Sequence, residues 1–133
     1  MLTPSQALVF SALLTFVMVL GSALLRAKFW TPAGFRWSFG NRDTSVDSTA
    51  IAGRAERAAR NMLENMVLFV AVLLAASLSG HATPQAREGA TLFLWARLVY
   101  WPIYLVGVPY LRTAVWAAST AGLVMIATAA ISA

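Results

Sequence analysis

Long apolar runs alternate with short polar breaks along this chain, at the length scale of a lipid bilayer. The first run, Gln6 to Leu25, reads QALVFSALLTFVMVLGSALL and holds no charge in twenty residues. Such a run spans a hydrocarbon core of ~30 Å as a helix. No basic flank precedes it, so it reads as a retained helix and not as a secretory signal. Arg26 to Ala50 contains Pro32, Gly34, Gly40, Asn41 and scattered charges, and is expected to be a loop. Its aromatics, Phe29, Trp30, Phe35, Trp37 and Phe39, suit the interfacial belt of a membrane protein. A second helix is expected from Ser48 or Thr49, either a good N-cap, to about Ser79. Thirty or so helical residues measure ~45 Å, so its charged first turns should project past the core or line an internal polar cavity.

Ser79 to Glu88, SGHATPQARE, reads as a loop, and a third helix follows from about Gly89 to Gly107. Pro102 should kink it. A tight turn, GVPYLR, leads into a fourth helix from about Leu111 to Ser132, rich in small residues that allow close helix approach. The pattern therefore predicts one all-α transmembrane domain over residues 1–133. It is an integral membrane four-helix bundle with helices at about 6–25, 49–79, 89–107 and 111–132.

Composition agrees: 59% of residues are hydrophobic and 11% are charged, against about 25% charged in soluble domains. The net charge of +5 could signal nucleic acid, but the basic residues sit beside apolar runs, so no nucleic-acid partner is expected. Arg26, Lys28, Arg36, Arg42, Arg54, Arg57 and Arg60 cluster in and around the first loop, Arg112 follows the second turn, and the other side has only Arg87. The bias places both termini away from the cytoplasm, across the inner membrane in a bacterial cell. There is no cysteine, and His81 is a lone, bland loop histidine, so metal chemistry is not expected.

With that topology, all four helices bring polar groups to the cytoplasmic leaflet. Arg57, Asn61 and Glu64 stand at i, i+4, i+7 and share a face, and Arg60 can pair with Glu64 at i+4. Arg97, Tyr100 and Tyr104, at i, i+3, i+7, share another face. A charge at mid-bilayer costs ~2.5–3.5 kcal/mol, so Arg97 and Glu64 should face the bundle or a subunit interface, and a plain Arg97–Glu64 pair would make them packing devices. An excess of arginines suits a ligand with several negative groups, and Glu64 suits an ammonium. A lipid-accessible apolar wall would suit a lipophilic second molecule.

The motif RAERAARNMLEN resembles the second-helix signature of the MAPEG family, membrane-associated proteins in eicosanoid and glutathione metabolism, and resembles its bacterial-type members. The signature residues are Arg57, Arg60, Asn61 and Glu64. Arg97, Tyr100 and Tyr104 match a third-helix signature, and Leu111-Arg112 a pair near the start of helix four. The resemblance implies a homotrimer that binds glutathione between neighbouring subunits. It implies Arg57, Arg60, Asn61, Glu64, Tyr100 and Tyr104 as glutathione contacts, with Arg26 a weaker one and Arg97 within the same set. Arg112 would activate the thiol, which would attack a lipophilic electrophile or reduce a hydroperoxide. The alternative is a non-catalytic lipid-binding or scaffold protein of the same fold. Asn65 stands where some active members have tyrosine, and the Tyr104–Arg112 interval differs by about one residue from a synthase pattern.

Overall fold

The computed structural model describes residues 2–45, 47–80 and 83–132; His81 lies outside them. Five helices follow in order: α1 (Pro4–Ala27), α2 (Pro32–Phe39), α3 (Ala50–Leu78), α4 (Pro84–Val106) and α5 (Pro109–Ile131). No strand occurs among the described residues. All except α2 are long and apolar enough to cross a membrane, so the chain is a multi-pass integral membrane protein.

The helix starts share one device. Thr3, Thr31 and Thr83 each precede a proline, and each threonine hydroxyl accepts the backbone N–H three residues on. Threonine at the N-cap satisfies an orphan donor, and proline at the next position lacks an N–H that would be orphaned there anyway. At α1 a capping box completes the arrangement, with Gln6 Oε1 accepting from the Thr3 N–H at 2.9 Å. Thr49 caps α3 by accepting from the Ala52 N–H at 3.2 Å.

A proline at the first helical position, behind a threonine cap in two cases and behind the uncapped Val108 in the third, corrects three sequence-based boundaries. The first loop contains α2, because Pro32 and Gly34 start and seat a helix there instead of breaking one. Gly34 lies against the carbonyls of Ala27 and Lys28, where a Cβ would collide with backbone. The third membrane helix starts at Pro84, not Gly89, so Arg87 and Glu88 are helical. The last starts at Pro109, not Leu111, so Arg112 lies in its first turn, donating its N–H to Val108 O at 3.0 Å. Within the former loop the rings of Phe29, Phe35 and Phe39 pack tilted against one another, with centroids 4.8 to 6.4 Å apart. Phe35, Phe39 and Trp30 stay exposed, in keeping with an interfacial belt.

Helix α3 packs against α1, α4 and α5. Its buried stripe of Ala55, Ala58, Met62, Asn65, Phe69, Leu73 and Ala76 recurs every three or four residues, as one helix face requires. Phe69 stacks on Phe93 of α4, ring centroids 4.2 Å apart and 8° from parallel. Helices α4 and α5 come close together at Gly89 and Gly122. A Cβ on either would lie 2.6 Å from the carbonyl oxygen of the other.

Candidate functional site

Arg97 is the largest fully buried side chain among the described residues. Its Nη1 donates to Asn61 Oδ1 of α3 at 2.7 Å. The guanidinium carbon lies 5.4 Å from the centre of the Phe93 ring and 5.3 Å from that of Tyr100. Two aromatic rings and a neutral amide thus surround this cation. The expected alternative partner, Glu64, is exposed and makes no ion pair: Arg26–Glu56 is the one ion pair among the described residues. Arg60 and Glu64 do not pair with each other.

A line of aromatic and cationic groups continues from Arg97. Tyr100 meets Tyr104 edge to face, with centroids 5.3 Å apart, and both are buried. Arg112, half-buried in the first turn of α5, sits with its guanidinium carbon 4.8 Å from the Tyr104 ring centre. The i, i+3, i+7 spacing on α4 puts the first three groups on one inward stripe, and the two-residue turn between α4 and α5 brings Arg112 onto its end.

Asn61 is held in one orientation. Arginine has donors and no acceptor, so the Asn61 carbonyl oxygen must face Arg97 and its amide N–H groups turn away. Asn65, buried one turn on, donates to the Asn61 backbone carbonyl at 2.8 Å and so does not reach outward. Arg57, Arg60 and Glu64 are exposed on the outer face of α3. Asn61, half-buried, belongs to both groups and links the outer face to the inner line.

Arg26 stands apart. It pairs with Glu56 at the mouth of a cavity of about 620 Å³ between α1, α2 and α3, lined also by Leu20, Ala23, Trp37, Phe39 and Arg42. The structure therefore gathers Asn61, Arg97, Tyr100, Tyr104 and Arg112 within one protomer. It leaves Arg57, Arg60 and Glu64 on the outer surface and Arg26 bound elsewhere.

Two residues escape sequence reading. Glu56 partners Arg26 across thirty positions, and Arg54 donates from Nε to Leu105 O at 2.8 Å across fifty-one. Both contacts join different helices, so no local spacing signals them. Among the described residues no three His, Cys, Asp or Glu side chains gather as a metal site.

No curated protein and no solved structure matches the chain. The MAPEG family model matches residues 5–132, nearly the whole chain, along both the buried line on α4 and the outer face of α3, and the chain belongs to the MAPEG family.

Proposed function

We propose that this protein binds glutathione in the cytoplasmic leaflet, between copies of itself in a homotrimer, and directs the thiol at a lipophilic electrophile or hydroperoxide. The observation that carries this reading is Asn61, where the outer donors meet the buried line ending at Arg112. Glutathione has two carboxylates, one ammonium and a thiol. Arg57, Arg60 and the outward amide of Asn61 offer donors to carboxylate or carbonyl oxygens, and Glu64 offers an acceptor to the ammonium. These groups fit the ligand's charges one for one. The Arg26 cavity lies on a different part of the protomer, so a ligand touching both sets would have to lie between two protomers.

When bound, glutathione supplies a nucleophilic sulfur. Arg112 favours its ionised form: a free thiol has a pKa of about 8.5, and a guanidinium near the sulfur lowers it. The position of Arg112 in the first turn of α5 adds the positive end of a helix dipole to the same place. Tyr104, stacked on the guanidinium, holds it in place. The new bond forms between sulfur and the electrophilic carbon, and the displaced electron pair leaves with the leaving group. The exposed apolar surface of the helices would let a lipophilic partner arrive from the bilayer.

Calorimetry on the purified protein tests the binding, with micromolar-to-millimolar affinity expected and abolished in Arg57→Ala and Glu64→Ala. An absence of heat and of thermal shift at excess glutathione overturns the proposal. Arg112→Leu should keep binding while moving the rate profile to higher pH, because a lost cation returns the thiol pKa toward its ordinary value. One observation favours the non-catalytic reading: Asn65 turns inward, so no tyrosine hydroxyl stands beside Glu64. That reading predicts bound lipid and no turnover with a chromogenic aryl halide.

A further inference from the structure

We infer that Arg54 is a positioning residue: it holds the α4–α5 turn closed and so keeps Arg112 on Tyr104. The inference deepens the function proposed above and rests on it for its kinetic part.

The last four carbonyls of a helix have no partner within the helix. At the end of α4 the Gly107 N–H bonds to Ile103 O at 3.0 Å, and the Val108 N–H points at the same oxygen at 3.4 Å. Leu105 O is left to a side chain from another helix, and Arg54 Nε donates to it at 2.8 Å. A cation at a helix C-terminus also meets the negative end of the dipole. This is a tertiary cap, supplied fifty-one residues away in sequence.

The turn itself has little else to hold it. Gly107 takes a left-handed conformation, φ +87°, that other residues adopt only under strain. Val108 caps α5 with no side-chain hydrogen bond, unlike the threonines before the other helices. Pro102 has already removed one N–H from the last turns of α4. Against this weak corner lies the Arg54 side chain: a Cβ on Gly107 would meet its Cδ and Nε at 3.5 Å. Tyr104 precedes the bonded carbonyl by one residue, and Arg112 follows it by seven. A turn free to open would separate the guanidinium of Arg112 from the Tyr104 ring without touching either residue.

The test uses the full-length protein in detergent. Arg54→Met keeps the stem along Gly107 and removes the donor; Arg54→Lys keeps a charge able to reach the carbonyl. Amide exchange over residues 103–112 should quicken about tenfold in Arg54→Met, the scale of one charged hydrogen bond, while α1 stays unchanged. Arg54→Lys should fall between, and it carries the measurement if Arg54→Met does not fold. With an aryl halide, kcat should drop about tenfold while KM for glutathione stays within about twofold. Unchanged exchange at 103–112 overturns the inference, and so does a raised KM with kcat intact, which would make Arg54 a ligand contact. If the unmutated protein does not turn over glutathione at all, the proposed function fails, and the exchange result still decides the role of Arg54.

Discussion

A fully buried arginine inside a membrane bundle needs an account of its cost. Placing a charge at mid-bilayer costs ~2.5–3.5 kcal/mol. Arg97 recovers part of that through its bond to Asn61, worth ~1.5–3 kcal/mol for a charged donor, and through two aromatic faces at ~0.5–2 kcal/mol. Its Nε and Nη2 are buried without a hydrogen-bond partner, a further cost, so burying the charge brings no net gain and Arg97 is not retained for stability. Its other effect is to fix the Asn61 amide with both N–H groups turned away. Arg97→Met, similar in length and uncharged, should therefore leave folding stability within about 1 kcal/mol while glutathione affinity falls about tenfold, since a freed Asn61 can turn its oxygen outward. Thermal denaturation and calorimetry on the same preparation check this. A large loss of stability would make Arg97 a packing device, and an unchanged affinity would remove it from the site. The sequence made the residues of each face legible, because helical spacing alone puts Arg57, Asn61 and Glu64 together and Arg97, Tyr100 and Tyr104 together. It could not tell that the two faces meet at Asn61 and not at Glu64. A pairing across thirty-six positions depends on how α3 and α4 cross.

At the level of elements, hydropathy marked the four membrane helices, and their boundaries went astray where two signals conflicted. Thr31-Pro32 and Thr83-Pro84 are N-cap and first-position pairs as plain as Thr3-Pro4. They read as breakers because glycine or charges follow them. Polar residues inside a membrane helix are tolerated when they lie at its end. Arg87 and Glu88 occupy the first turns of α4, near the water. The close contact at Gly122 was legible only as a tendency, since α5 is full of small residues and their spacing does not single out Gly122. Gly122→Ala would place a methyl group 2.6 Å from Gly89 O and 3.0 Å from the Phe93 N–H nitrogen. Both neighbours are main chain and cannot swing aside, so α4 and α5 must separate, at ~1–3 kcal/mol. Gly21→Ala meets only the Trp101 ring, at 3.2 Å, and a ring can shift. The ratio of folded to unfolded protein in a denaturant titration should fall clearly for Gly122→Ala and little for Gly21→Ala. Equal effects would mean that the α4–α5 contact is looser than its geometry.

For the whole molecule, orientation and assembly are the properties at issue. From the Lys and Arg bias we propose that the first loop and the α4–α5 turn face the cytoplasm. The natural chain has no cysteine, so single cysteines at Ser5 and at Ser45 report orientation without background. In intact cells a membrane-impermeant maleimide should label Ser5→Cys and spare Ser45→Cys, and the reverse pattern would invert the topology. Given that orientation, the depth of the outer face follows from helix rise. Glu64 lies fourteen residues before the end of α3 at Leu78, about 21 Å at 1.5 Å per residue. If that end marks the far edge of a ~30 Å core, Glu64 sits about 9 Å inside the near edge. Arg57, seven residues earlier, reaches about that edge. Glu64 is exposed on the protomer, so without a cover it would face hydrocarbon at a cost of a few kcal/mol. In the proposed trimer a second copy of the chain, with or without an ammonium-bearing ligand, would relieve that cost. The two ways of relieving it differ in what mutation does. If the face exists to bind ligand, Arg60→Leu with Glu64→Leu should abolish glutathione binding and keep the particle mass, because leucines at these positions pack as well between helices as against lipid. If the face exists to hold protomers together, the same double change should lower the mass seen by light scattering. Assembly would then rest on the charges, and the proposed ligand site would lose its central support.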